Sequence, residues 1–422
     1  MAKILFLSLV FRPDNVSTAQ IMGDLSLELK SRGHEVQVLT TVPHYNQDSE
    51  ASERQPLRSN WGGLFQESEY YGMKVMHIFI PQKGGNKFIR MLGWIGFHLG
   101  SLLVGFTMRY RAEVILAPSP PLTIGVVAWL LGKVHRCPWV YNVQEIYPDI
   151  AINLGELKRP VLIRFFQRLE AFVYQEASAL AVISDGMAER IRGKGVPASK
   201  IRLIPNFVDL NDYLPGPKVN PFSLKHGIQD NFVVLYAGNM GKPQGLEVLV
   251  DAAAMLVGEP QIRFVLIGNG SERPALERRV SQLRLGNVIF LAQHSYGAMR
   301  DIHATASACF ISQAPRTASD GIPSKVFRIL GSARGILAST SADSDLARIV
   351  QRAGAGLVVP PGDPAAIARV LLEALEGPAE WVKMGVRGRS YVEAHFSRPM
   401  ICGLYDQLLT EVAASGAHHR RQ

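Results

Sequence analysis

The chain has 422 residues, of which 47% are hydrophobic and 19% charged, and its formal net charge is +9. This length predicts two domains, and the composition excludes a largely disordered chain. The positive charge favours polyanionic partners, but no paired Cys/His spacing or aromatic-basic ribonucleoprotein motif occurs, so we expect phosphorylated small molecules or anionic lipids and no nucleic acid. The isolated cysteines, Cys137, Cys309 and Cys402, are typical of buried thiols in a reducing compartment.

The beginning of the chain predicts a β-α-β unit. Lys3 to Val10 is an apolar run suited to a central strand, and a helix is predicted from Ala19 to Arg32, followed by a strand from Glu35 to Thr41. The polar segment from Val42 to Gly72 is interpreted as an excursion, with a hairpin within Phe65 to Ile80.

Strands and helices then alternate to about residue 205, which predicts an α/β domain with a parallel sheet covered by helices on both faces. The predicted strands are Glu113–Ala117, Trp139–Val143, Ala179–Ser184 and Ile201–Pro205, and the predicted helices are Leu122–His135, Pro160–Glu176 and Asp185–Arg192.

A second alternating set predicts another Rossmann-like domain. Its strands are expected at Phe232–Gly238, Arg263–Ile267, Val288–Leu291 and Cys309–Ser312, and its helices at Leu246–Leu256, Arg273–Leu285, Pro364–Leu375 and Glu380–Ala394. The predicted organisation is a first domain at 1–212, a linker at 213–230, a second domain at 231–396, a helix at 397–415 that returns to the first domain, and a basic tail at 416–422.

Three segments of the second domain favour an anion site. Pro323-Ser324-Lys325 precedes a short predicted helix, whose free N–H groups would bind a phosphate together with the lysine charge. The glycine-rich loops Gly238–Gly245 and Gly268–Glu272 follow strands and let backbone donors approach a ligand. An N-cap serine with an incidental surface lysine is the alternative interpretation of Ser324 and Lys325.

The first domain has polar residues at predicted strand ends. Glu145 and Asp149, four residues apart, could hold a sugar hydroxyl or transfer a proton, although Asp149 could also cap a helix. The loop that ends in Ser17-Thr18 lacks the glycine fingerprint of a dinucleotide site, so an NAD-dependent enzyme is disfavoured.

The segment Met91 to Met108 carries no formal charge, and Lys87, Arg90, Arg109 and Arg111 flank it. Two interpretations stay open. The segment is either a helix packed wholly in the core or a helix that presents an apolar face and basic ends, from Met91 to Arg111, to an anionic bilayer.

Taken together, the chain resembles the retaining GT-B glycosyltransferases of family four, and is similar to the bacterial fucosamine-transferase-like branch of polysaccharide biosynthesis. The resemblance spans nearly the whole chain and is carried by the order and spacing of these motifs: Pro13 to Gln20, Ser31 to Val36, Ala117 to Leu122, Val182 to Asp185, Ile204 to Asp209, Leu235 to Gly245, Pro323 to Lys325 and Gly354 to Asp363.

The resemblance implies a fold of two Rossmann-like domains whose parallel sheets face a central cleft. It implies transfer of a hexosyl or N-acetylhexosaminyl group, with retention, from a nucleotide-diphosphate sugar, a UDP-sugar being favoured, to a lipid-linked glycan such as a polyprenyl-diphosphate glycan. No metal and no cofactor are expected, and the enzyme is expected at the cytoplasmic face of the membrane.

The residues assigned on this basis fall into three groups. The catalytic pair is Glu145 and Lys325. The donor-binding residues are Gly238, Asn239, Met240, Gly241, Gly268, Gly270, His294, Asp320, Ser324 and Lys325, and the acceptor-side residues are Ser17, Thr18, Gln144 and Asp149.

The chain also departs from the family pattern. Asn239-Met240 and Gln244 stand where the family often has an arginine and a lysine, and Asp320 and Arg328 stand nearest to its two glutamates. The family's first-domain histidine is replaced by Gln144-Glu145. These departures keep two alternatives open: a catalytically silent GT-B-like binding subunit and a related nucleotide-sugar epimerase.

Overall fold

The computed structural model describes residues 1–14, 16–44, 53–60, 65–80, 87–292, 294, 296–315 and 322–419. The chain divides into two compact units. Unit 1 comprises Met1–Ile152, Leu157–Asn206 and Pro399–Gln422, and unit 2 comprises Asn153–Glu156 and Phe207–Arg398.

Unit 1 is built on a sheet in which the described residues form nine strands, in the order β3-β4-β5-β2-β1-β6-β7-β8-β9. The strands are β1 Lys3–Leu7, β2 Glu35–Thr41, β3 Arg58–Asn60, β4 Phe65–Tyr70, β5 Met73–Ile78, β6 Val114–Pro118, β7 Trp139–Val143, β8 Ala179–Val182 and β9 Ile201–Leu203. From β5 to β9 every pairing is parallel, whereas β3, β4 and β5 pair antiparallel, which confirms the predicted hairpin. Central strands such as β1 are buried on both faces, which explains their continuous apolar runs.

The helices of unit 1 connect these strands. They are α1 Ser17–Ser31, α2 Lys87–Thr107, α3 Ile124–His135, α4 Asp149–Asn153, α5 Pro160–Glu176 and α6 Asp185–Gly193. None of the helices in the described part of the chain combines the length and the hydropathy that a bilayer-spanning segment requires.

Unit 2 contains a parallel sheet of six described strands in the order β12-β11-β10-β13-β14-β15. The strands are β10 Phe232–Ala237, β11 Ile262–Ile267, β12 Val288–Leu291, β13 Ala308–Ser312, β14 Ile336–Ser339 and β15 Gly356–Val359. The helices are α7 Pro221–Lys225, α8 Glu247–Met255, α9 Arg273–Gln282, α10 Met299–Thr305, α11 Lys325–Gly331, α12 Asp345–Arg352, α13 Pro364–Glu376 and α14 Pro378–His395. Two Rossmann-like α/β units are therefore present, and this part of the sequence prediction is confirmed.

The segment predicted as a linker, 213–230, lies within unit 2. Its Pro- and Gly-rich composition suggested a solvated connection, but Tyr213, Phe222 and Ile228 are buried in the core of unit 2. Asn220 is also buried, and its side chain accepts hydrogen bonds from the backbone of Phe222 and Ser223 at the start of α7. The boundary falls instead between Asn206 and Phe207.

The last helix, α15 Arg398–His419, belongs to unit 1 from Pro399 onwards. His34 and Asp406 are 2.8 Å apart, and the Asn142 amide donates to the Tyr405 hydroxyl at 2.6 Å. The helix continues past the predicted end at residue 415 into the predicted basic tail, of which residues 420–422 lie outside the described residues.

Candidate functional site

Two glycine loops lie side by side at the carboxyl edge of the unit 2 sheet. The Gly238 N–H donates to the Ile267 carbonyl at 2.9 Å, and the Met240 N–H donates to the Asn269 carbonyl at 2.8 Å. A Cβ atom on Gly268 would lie 2.0 Å from the Gly238 carbonyl oxygen, and one on Gly270 would lie 2.2 Å from the Met240 carbonyl oxygen. Because neither carbonyl can move away without breaking this pairing, the loop contact requires glycine.

Lys325, the first residue of α11, reaches this loop pair. Its Nζ lies 3.9 Å from the centroid of the Tyr236 ring and 2.9 Å from the position a Gly238 Cβ would occupy. Burial, and secondarily the charge of Arg328, lowers the pKa of Lys325 to about 7. No carboxylate within the described ranges forms an ion pair with this amine. Lys325 is therefore a half-buried amine beside partly exposed glycine backbone, and an anionic ligand would favour its protonated form.

Other basic side chains lie next to Lys325. A small cavity of about 40 Å³ is bounded by Lys325, Arg328, His303 and Cys309, among others. The Arg328 guanidinium lies 5.8 Å from the centroid of the Tyr213 ring. Burial, with the charges of Arg328 and Arg334, lowers the pKa of His303 to about 3, so this histidine is neutral at physiological pH.

Most of the predicted donor residues that the structure describes lie together. The structure brings Gly238, Met240, Gly241, Gly268, Gly270 and Lys325 to one edge of the sheet. Met240 contributes backbone only, since its side chain is fully buried, and the exposed Asn239 has its amide 3.5 Å from Gln244.

The other predicted donor residues that the structure describes are His294 and Ser324. The described contacts of His294 are with the Ala292 carbonyl at 2.8 Å and the Phe222 ring at 5.7 Å, in an aromatic cluster with His226. Ser324 precedes α11, but its side chain makes no capping hydrogen bond, because the residue has helical backbone angles instead of the extended ones of a cap. Ser324 thus occupies the N-cap position without a side-chain cap, which excludes the alternative interpretation of this residue as a capping serine. Asp320 lies outside the described residues.

In unit 1 the carboxyl edge of the sheet is dominated by an amide network. The Gln144 amide donates to Asn142 at 2.6 Å and to Asn206 at 3.2 Å, and the Asn206 amide donates back to Gln144 at 2.9 Å. The hydroxyl of Ser119 accepts from the backbone N–H of Gln144 at 2.9 Å and from that of Glu145 at 3.4 Å. These bonds use both functional atoms of the Gln144 amide, so the side chain positions the loop that carries Glu145.

The other acceptor-side residues lie at two different places. Ser17 and Thr18 begin α1, directly after the loop that follows β1, and both are partly buried. Asp149 accepts from Lys194 at 2.9 Å, and Lys194 also binds the buried Glu170 at 2.7 Å. This ion-pair cluster borders a cavity of about 590 Å³ lined by Asp149, by residues of α5 and by the segment from Lys194 to Lys200 that follows α6. The carboxylate predicted for the acceptor is thus held by a lysine far along the chain.

Several residues at the two edges were not anticipated. In unit 1, Asp14 accepts from the His44 backbone N–H at 2.8 Å, and the His44 ring lies 3.7 Å from the same carboxylate. In unit 2, Tyr236 supplies the ring beneath Lys325. An inward-facing tyrosine in an apolar strand carries no sequence signal for this role, whereas a histidine just after β2 could have been noticed from its position.

Among the side chains that the structure describes, no group of three His, Cys, Asp or Glu residues is placed to hold a metal ion.

Comparisons with known proteins give the same two-part division. Residues 18–206 match the family model of the glycosyl transferase 4-like domain, and residues 231–377 match that of the glycosyl transferases group 1. The putative colanic acid biosynthesis glycosyl transferase WcaI of Escherichia coli K12 is 25% identical over 406 residues, covering 93% of this chain and 95% of the relative. The probable glycosyltransferase WbjE of Pseudomonas aeruginosa is 26% identical over 294 residues, covering 68% of this chain and 72% of the relative.

Solved structures share the fold. The sucrose-phosphate synthase of Thermosynechococcus elongatus superposes with a TM-score of 0.76 at 19% identity, covering 98% of this chain and all of that one. HepE of Anabaena, solved with UDP and glucose, gives 0.74 at 16% identity, covering 97% of this chain and all of that one. The structural neighbours share both units and show that the chain has the GT-B fold. Because the two family matches together cover residues 18–206 and 231–377, the chain belongs to the GT4-like group 1 glycosyltransferases.

Proposed function

We propose that this glycosyltransferase moves a sugar from a nucleotide-diphosphate donor, with a UDP-sugar favoured, to a lipid-linked glycan during cell-surface polysaccharide synthesis. The observation that carries the proposal is the position of Lys325, an amine without a carboxylate partner among the described residues, beside the Gly238 loop. The polysaccharide assignment is supported by WcaI, whose name refers to colanic acid biosynthesis, and the donor class by HepE, which was solved with UDP.

In the proposed reaction, the bond between the sugar C1 and the diphosphate oxygen breaks, and its electron pair stays on the diphosphate. The acceptor hydroxyl attacks C1 from the same face, which retains the anomeric configuration, and its proton passes to the departing phosphate oxygen. Lys325 would bind the developing negative charge in its protonated form, a role that needs a cation held in place before the reaction begins. We propose that Lys325 takes this role without a metal ion.

The acceptor is assigned to unit 1. Ser17, Thr18 and Glu145 lie at the carboxyl ends of parallel strands, where α/β folds place their ligands. Glu145 is proposed to accept a hydrogen bond from the acceptor hydroxyl, and the Gln144–Asn206 pair fixes the loop that carries it. A hexosyl or N-acetylhexosaminyl donor of the fucosamine-transferase-like branch remains part of this proposal.

The test is the thermal shift of the purified protein with UDP-, GDP-, dTDP- and CMP-sugars, since a ligand that binds only the folded state raises the melting temperature. We expect one nucleotide class to raise the melting temperature, and Lys325→Met to lower transfer by about 10²- to 10³-fold. Lys383→Met is the matched control, because Lys383 is an exposed lysine of α14 in the same unit and lies outside both glycine loops. Transfer that is unchanged in Lys325→Met would overturn the role of Lys325, and donor conversion without any acceptor would identify an epimerase instead.

A further inference from the structure

Three helices of unit 1, α2, α3 and α5, form one closely packed layer. A Cβ atom on Gly105 of α2 would lie 2.3 Å from the Leu131 side chain of α3, and one on Gly125 of α3 would lie 2.5 Å from the Val173 side chain of α5. These glycines let the three helices pack at short distance. The inner side of the layer belongs to the core of unit 1, where Phe97, Val104 and Val173 are buried.

The outer side of the same layer is apolar and exposed. On α2 the exposed side chains recur every three or four residues and so form one stripe: Leu92, Ile95, Leu99, Leu103 and Phe106. On α5 the exposed apolar side chains are Val161, Leu162 and Phe165, of which Val161 is 77% and Phe165 58% exposed. Trp129 of α3, partly buried, lies in the helix between the two. The sequence had indicated only the α2 part of this surface.

The charge of the chain is concentrated in the same segments. Residues 87–136 and 157–176 contain ten Lys and Arg but three Asp and Glu, a balance of +7 out of +9 for the whole chain. The three acidic groups are engaged: Glu113 accepts from the Lys3 N–H, Glu170 binds Lys194, and Glu176 accepts from the Trp129 indole. On α5 the exposed Arg164 and Arg168 lie one turn apart on the helix that carries Val161, Leu162 and Phe165, and on α3 the Lys133 ammonium lies 5.9 Å from the centroid of the Trp129 ring.

We propose that the outer face of the α2-α3-α5 layer docks on an anionic lipid bilayer, with its apolar side chains in the interface and its basic residues against the headgroups. Apolar and basic residues together on one helix face are what interfacial binding requires. A second copy of the chain would bring the same positive charge to the contact, which disfavours a homodimer through this face. The biological role of this docking rests on the proposed function, since docking would bring the enzyme to a lipid-linked acceptor.

Binding is measured by flotation of the full chain with phosphatidylcholine vesicles that contain or lack phosphatidylglycerol. We expect the chain to float only with the anionic vesicles, and less in high salt. The α5 triple variant V161S/L162S/F165S is expected to weaken binding by about tenfold or more, because its apolar side chains no longer enter the interface. R164Q/R168Q is expected to weaken it by about fivefold for each charge removed.

The matched control is V382S/V386S on α14 of unit 2, whose valines are 63% and 57% exposed, and its binding is expected to be unchanged. Unchanged melting temperatures show that the variants fold. If the α5 variant floated as well as the wild-type protein, the proposal that this surface docks on the bilayer would be overturned. It would also be overturned if the wild-type protein formed a dimer in lipid-free solution and the α5 variant were a monomer. Flotation needs neither donor nor acceptor, so the two proposals can fail separately. A protein that binds vesicles but no nucleotide would contradict only the proposed function, and one that binds a nucleotide but no vesicles would contradict only the membrane docking.

Discussion

The carboxyl edges of the two sheets are built in opposite ways. In unit 1, Gln144 and Asn206 exchange hydrogen bonds, and the Ser119 hydroxyl receives two backbone N–H groups. In unit 2, Lys325 stands beside glycine backbone with an aromatic ring, and no carboxylate of the described residues, to stabilise its charge. Polar side chains that hydrogen-bond to one another hold a loop in place, as at the edge of unit 1. A lysine without a carboxylate partner, as at the edge of unit 2, can instead bind an anionic ligand.

The largest effect is expected from Gly268→Ala. The new methyl group would lie 2.0 Å from the Gly238 carbonyl oxygen, and Gly268 has a φ of +136°, which an L-residue adopts only with strain. We expect the nucleotide-dependent rise in melting temperature to disappear and the free energy of unfolding to fall by more than about 2 kcal/mol.

Gly258→Ala is the control for this change, because a Cβ atom on Gly258 meets nothing within 4 Å. If Gly268→Ala kept a normal nucleotide response, the paired glycine loops would have no part in donor binding.

The sequence predicts much of the fold and part of this edge. Apolar runs that alternate with helical segments specify buried parallel strands, and glycines directly after β10 and β11 indicate the loops. The pairing of Asp149 with Lys194 depends on tertiary folding and so leaves no local pattern. The domain boundary after Asn206 could not be predicted from the sequence for a similar reason. Pro and Gly near residue 216 suggest a solvated linker, and only the tertiary packing shows that Tyr213 is buried.

The second expectation concerns the pH dependence of donor binding. The pKa of Lys325 is lowered to about 7 in the free protein, first by burial and then by Arg328, so the amine loses its proton as the pH rises above 7. A diphosphate favours the charged amine and must therefore draw in a proton when it binds above that pH. We expect UDP affinity to fall by up to about tenfold for each pH unit between about 7 and 9.

Titration calorimetry in buffers of different ionisation enthalpy would measure this proton uptake directly. Lys325→Met should remove the uptake and flatten the affinity profile, while the control Lys383→Met should keep both the uptake and the pH dependence. If the UDP affinity of the wild-type protein were as independent of pH between 7 and 9 as that of Lys325→Met, the amine would not gain a proton when UDP binds. Unit 2 would then lack the titrating lysine that distinguishes its sheet edge from that of unit 1.

The smallest effect is expected from Gln144→Ala, which tests the other side of the comparison. Removing the amide leaves Asn206 without its reciprocal partner, and a buried polar group that loses its hydrogen bond costs about 1–3 kcal/mol. We therefore expect chemical denaturation to show a loss of stability of this size, while the nucleotide-dependent thermal shift stays unchanged because the residues proposed to bind the donor lie in unit 2. Gln175→Ala, an exposed glutamine of α5, should change neither quantity. A Gln144→Ala protein with full stability but a lower kcat would instead place this amide in contact with the substrate, and the edge of unit 1 would then be a binding surface rather than a scaffold for Glu145.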